Sequence, residues 1–105
     1  MPEDKIDKNQ MLFLGLIQSF VTSAWIQLGK QKNPITDKTE ENLDEAQFTI
    51  DMLEMIKEKT EGNLNEKEAQ IISSSLSELK MNFIDLRMKQ DSHPEQQEEP
   101  KQENN

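Results

Sequence analysis

The residues most suggestive of chemistry are a serine cluster, Ser73-Ser74-Ser75 with Ser77, and one histidine, His93, two residues after Asp91. A serine nucleophile needs a base within hydrogen-bond reach and a third group to orient that base. No histidine lies near the cluster in sequence, so these serines read as the small polar face of a helix. Asp91 and His93 could each offer a metal ion one ligand, but the pair runs straight into Pro94 and a polar tail. A stable site needs more donors than that. Acidic pairs such as Glu54 and Glu58 lie one helical turn apart. Acid–base work would require one such carboxyl to be held in apolar surroundings, and nothing nearby encloses them. Glycine-rich phosphate cradles and HExxH zinc spacings are absent, and without cysteine there is neither a thiolate site nor a disulfide. The one remaining arrangement is a polar cluster built across a dimer seam, with Gln18, Ser19, Ser23 and Asp51 as its only candidates. The expectation is a protein that is not an enzyme, with no catalytic residue, no metal and no cofactor.

The elements that would position these side chains are helices. Met11-Leu12-Phe13-Leu14-Gly15-Leu16-Ile17 is an apolar run, continued by Phe20, Val21, Ala24, Trp25, Ile26 and Leu28. Gly29 ends the pattern as a C-cap would, and Asn33-Pro34 stops continuation, which predicts a helix over 9–28. Asn42 can cap a second helix, with Glu45 placed to reach back to it. Leu43, Ala46, Ile50 and Leu53 then form one apolar stripe, and Lys57 and Lys59 suit the negative end of the helix dipole. Gly62 predicts a left-handed stop, with Leu64 folding back over the last turn. Asn65 with Glu68 opens a third helix, in which Ala69, Ile72, Leu76, Leu79, Phe83 and Leu86 recur in an a/d pattern. The short connection makes helices two and three an antiparallel hairpin. No segment alternates as a strand would.

The first of these helices is apolar around most of its circumference, and such a helix must be covered on more than one side. A hairpin covers about half of it. Gly15, Ser19 and Ser23 lie four apart on one face, where a neighbouring helix could approach closely. Phe48, Met52 and Met55 form a second apolar face on helix two, and Met81 and Met88 add further adaptable side chains. Trp25 could anchor an interface. The expected interface residues are therefore Phe13, Ile17, Phe20, Val21, Trp25, Phe48, Met52 and Met55. A membrane role for the first helix is the alternative. Gln18, Ser19, Thr22, Ser23 and Gln27 interrupt it, its length is at the lower limit for spanning, and no basic region precedes it as in a signal peptide.

Composition narrows the classes of function. Of 105 residues, 32% are hydrophobic and 31% charged, a lean apolar supply concentrated away from both ends. Residues 1–8 read as a flexible lead-in, 9–90 as a three-helix domain and 91–105 as a disordered acidic tail. A core of about 80 residues is marginal alone, and oligomerisation is a common remedy. A net charge of -9, with no run of basic residues, disfavours nucleic acid and anionic lipid as partners. The lack of cysteine favours a reducing compartment.

Several segments together resemble a known family. They are Phe20 to Gly29 with Ala24-Trp25 and Leu28-Gly29, then Asn33-Pro34, Asn42-Leu43 with Ala46, and Ile50-Asp51 with Leu53. Lys59-Thr60-Glu61-Gly62-Asn63-Leu64 and a closing Leu79 to Arg87 segment complete the set. Over about residues 12 to 89 the chain resembles the small bacterial family known as domain of unknown function 1844. The resemblance implies a short, helical, cytoplasmic bacterial protein, and it implies no activity, substrate, cofactor or site residue. The whole sequence thus predicts an all-α fold, a hydrophobic N-terminal helix plus an antiparallel hairpin, closing as a homo-oligomeric bundle. Its expected role is a non-catalytic structural or protein-interaction module that binds itself or another protein. Its alternative is a peripheral membrane protein anchored by the first helix.

Overall fold

The computed structural model describes residues 7–91, in three helices: α1 (Lys8–Gln27), α2 (Leu43–Lys59) and α3 (Glu66–Asp91). The remainder of the expected lead-in and the tail from 92 onward lie outside these residues. Among the described residues there is no strand, only two isolated bridges, Leu28 with Glu41 and Asn33 with Lys38.

Each helix starts where a side chain can take up an orphan backbone N–H. Asp7 caps α1, its carboxylate accepting from the Gln10 amide at 2.7 Å. Asp7 and Lys8, expected in the flexible lead-in, therefore belong to the helix start. Asn42 caps α2, its side-chain oxygen accepting from the Glu45 amide. The reverse half of the expected box is not made there, because the Asn42 amide donates instead to the Gln27 carbonyl at 2.7 Å. Asn65 and Glu68 form the complete box, each side chain accepting from the other's amide, at 2.8 and 2.9 Å. The stops are glycines in the left-handed region, Gly29 at φ 76° and Gly62 at φ 87°. At the far end α3 runs through Asp91, the residue expected to open the tail.

The chain runs up, down and up. Gln10 near the start of α1 accepts from Asn65 at the start of α3, so those two helices are parallel. Asp44 at the start of α2 meets Arg87 near the end of α3, and Glu54 meets Lys80 at 2.9 Å, so the hairpin is antiparallel. One cluster holds the three together. Ile17, Val21, Ala24 and Leu28 come from α1 and its cap; Leu43, Ala46, Ile50 and Leu53 from α2; Ile72, Leu76 and Leu79 from α3. Phe13, Phe20, Trp25, Ile56, Leu64, Phe83 and Leu86 pack around it, half-buried. Both predicted stripes of the hairpin thus point inward, and Leu64 folds back as its spacing implies.

The connection 28–42 is more ordered than a bare breaker would require. Asn33 accepts from the Ile35 amide at 2.8 Å in an Asx turn, and its own amide donates to the Lys38 carbonyl. Asp37, at φ 61°, makes the tight reversal between those residues. The loop therefore holds Ile35, 90% exposed, in a defined position at its tip.

Candidate interaction surface

Of the α3 serines, Ser73, Ser74 and Ser77 border one open, shallow depression with Glu78 and Met81, and no histidine lines it. Ser74 and Ser77 are exposed, while Ser73 and Ser75 are half-buried. The proposed seam cluster does not assemble within the protomer either. Gln18 donates to Thr22 one turn on, Ser19 to the Leu16 carbonyl, and Asp51 accepts from Gln47 on its own helix. These are local helical bonds, which satisfy the side chains where they stand. Among the described residues no group of His, Cys, Asp and Glu converges as a metal site would. His93 lies outside those residues.

The polar contact that sequence reading missed is between helices. The Thr49 hydroxyl donates to the Gln27 side-chain oxygen at 2.7 Å, and Thr49 is the single buried polar residue of the described core, 6% exposed. It joins the end of α1 to the middle of α2 where nothing else polar is buried. The signal in the sequence was a threonine on the edge of the Leu43–Leu53 stripe, which a satisfied buried hydroxyl explains.

The expected interface residues separate into three groups. Ile17, 1% exposed, and Val21, 8% exposed, are core residues of the protomer itself, because their positions complete the line Ile17, Val21, Ala24, Leu28. They are corrected from interface to core. Trp25 is half-buried and sits about 160° around α1 from Gln27, on the flank turned away from α2. Phe13, Phe20, Phe48, Met52 and Met55 lie along the α1–α2 side. Phe20, Ser23, Gln27, Phe48 and Thr49 line one shallow depression there, together with the carboxylates Asp44 and Glu45. Phe48 is 65% exposed and Met55 41%.

Two outward stripes matter for docking. On α1, Leu12, Leu16, Ser19, Ser23 and Ile26 follow at spacings of four, three, four and three, centred about 150° from the core line. Leu12 is 60% exposed and Leu16 47%. No charged residue lies between Lys8 and Lys30, so the flanks of this stripe, Phe13, Gly15, Phe20 and Thr22 among them, are uncharged too. A Cβ added at Gly15 would meet nothing, so that face is open. On α3, Ser74, Ser77, Met81, Ile84 and Met88 form a similar outward stripe, with Met81, Ile84 and Met88 all more than half exposed. Glu78, Lys80, Asp85 and Arg87 border it. The two surfaces differ in chemistry: on α1 the helix itself is uncharged and carboxylates border only its Ser23–Ile26 end, whereas on α3 charged residues frame the stripe along its length.

Residues 10–85 match the model of a family described as a domain of unknown function, DUF1844. The chain belongs to that family. The matched span takes in α1, the ordered connection, the α2–α3 hairpin with its Gly62 stop, and most of α3. No curated protein and no solved structure matches this DUF1844 protein. Membership therefore brings a domain boundary consistent with the three-helix unit, and no activity, substrate or partner.

Proposed function

We propose that this DUF1844 protein is a non-catalytic helical module that works by associating with itself, and through that assembly with other proteins. The observation that carries the reading is the outward face of α1, where exposed Leu12 and Leu16 stand in a segment without a single charge. A small protein with a net charge of -9 has charged residues to spare for its surface, and it spends none of them here. Large contiguous apolar patches rimmed by polar residues mark interaction sites on soluble domains. Phe48, Met52 and Met55 extend the patch onto α2.

The membrane alternative is less well supported. No helix of the described residues is long and apolar enough to cross a membrane. The most apolar line of α1 is already used by the core, and the outward line is diluted by Gly15, Ser19 and Ser23. An interfacial helix gains by presenting Lys and Arg to anionic headgroups, and α1 has no basic residue in its last turn. Residence in the cytoplasm belongs to the same proposal, in keeping with a cysteine-free chain.

Light scattering after size-exclusion chromatography, without detergent and over a hundred-fold range of concentration, tests the reading. A dimer or larger species is the expected outcome. A monomer throughout would refute self-association.

A further inference from the structure

We infer that the partner of the α1 face is a second copy of the chain, with the two α1 helices antiparallel about a two-fold axis at Ser19. This inference rests on the self-association proposed above and specifies its geometry.

The stripe itself favours that arrangement. Reversed about Ser19, it sets Leu12 of one copy opposite Ile26 of the other, Ser19 opposite itself, and Leu16 level with Thr22, one residue from Ser23. Large side chains then meet small or complementary ones, and Ser19 and Gly15 let the backbones approach near the axis. A parallel pair would instead stack Ser23 on Ser23 and bring the two acidic grooves together at one end of the interface.

Charge points the same way. Each copy carries the same excess of negative charge, so most of one surface repels most of the other. The α1 stripe itself carries no charge, and carboxylates (Glu40, Glu41, Asp44 and Glu45) stand beside its Ser23–Ile26 end, whereas the α3 stripe would bring Glu78 and Asp85 against their equivalents. The ends matter as well. A groove beside the end of α1 is lined by Ile26, Pro34, Ile35, Glu40, Glu41 and Glu45. In the antiparallel pair this acidic groove faces the start of the other α1, where Lys8 stands beside the capping carboxylate of Asp7, rather than the acidic groove of the other copy. Met11 and Leu12 of the incoming turn would also cover Ile35, which the loop otherwise holds 90% exposed.

The area is adequate. Leu12, Leu16 and Ile35 alone expose about 400 Å² per copy, half of the roughly 800 Å² that each partner of a standard interface buries. Half-buried Phe20 and Ile26, exposed Met11 and the polar rim add to it.

The natural chain has no cysteine, so single substitutions give clean reporters. Three variants of the full chain, Ser19→Cys, Leu12→Cys and Ser74→Cys, would be oxidised with copper phenanthroline and followed on non-reducing gels. Antiparallel pairing puts the two copies of residue 19 at the axis but separates the two copies of residue 12 by about 21 Å, beyond the reach of a disulfide. Ser19→Cys is expected to crosslink at least tenfold faster than either other variant. A fourth variant, Ser19→Lys, sets two like charges at the axis. It should weaken association at least ~tenfold while leaving the helical circular dichroism unchanged, since Ser19 is exposed in the protomer. Crosslinking through Leu12→Cys would overturn the antiparallel geometry. A dimer that crosslinks faster through Ser74→Cys, or is untouched by Ser19→Lys, would overturn this face while leaving self-association standing. A monomer by light scattering would overturn both.

Discussion

Replacing Thr49 with valine keeps the volume of the side chain and removes the hydroxyl that donates to Gln27 at 2.7 Å. The Gln27 oxygen then sits half-buried without its donor. Leaving a buried acceptor unpaired costs about 1–3 kcal/mol, and partial access to water places the expected loss near the lower end, about 1–2 kcal/mol. For a domain of this size that lowers the melting temperature by about 4–8 °C per kcal/mol. Gln27→Leu alone exposes the same defect from the other side, stranding the Thr49 hydroxyl in the core. Combining Gln27→Leu with Thr49→Val removes both partners, and the double variant should recover to within about 0.5–1 kcal/mol of the parent, because matched apolar replacements are nearly neutral. With each single variant losing about 1–2 kcal/mol, the coupling energy from the cycle is about 1.5–3 kcal/mol. Urea titrations followed by circular dichroism measure it, at one fixed protein concentration because association shifts apparent stability. Additive losses, with the double variant worst of all, would refute the argument that this bond joins α1 to α2.

Other substitutions follow from the same structure. Leu53 is fully buried, so Leu53→Ala should lose about 2–5 kcal/mol in urea melts, while Met81→Ala, at a position 69% exposed, should stay within about 0.5 kcal/mol. Gly62 has φ 87° and open space around it, so Gly62→Ala should cost about 1–2 kcal/mol through backbone strain alone; Gly62→Asn, which tolerates that region better, should cost less by thermal melting. Asn65→Ala removes the cap of α3 together with the tie to Gln10, an expected loss of about 1–2 kcal/mol by the same melts.

The hairpin was legible because its signals are local. Asn42, Asn65 with Glu68, and Gly62 mark helix ends through backbone groups a few residues away, and the Leu43–Leu53 and Ala69–Leu86 stripes repeat with one period. α1 was harder to read, since a helix apolar on most sides has no single face that its sequence singles out as the core. Ile17 and Val21 could not be told from Leu12 and Leu16 until α2 and α3 were packed against them. Asp7 did carry a local signal, a capping carboxylate three residues before Gln10, hidden by the polar run around it. The Gln27–Thr49 bond and the exposed Ile35 depend on contacts across the fold and on the shape of a loop. No periodicity encodes either.

The order of the helices along the chain has a consequence for the protein as it is made. Ribosomes add about 5–20 residues per second, so α1 is complete roughly 3–13 s before Asp91 is joined. Its core line, Ile17, Val21, Ala24 and Leu28, has no partner until α2 follows, and the α3 half of the cluster comes last. During synthesis the most apolar segment of the protein is thus the one that waits longest for cover. Of the three helices, α1 therefore spends the longest interval with its apolar line uncovered.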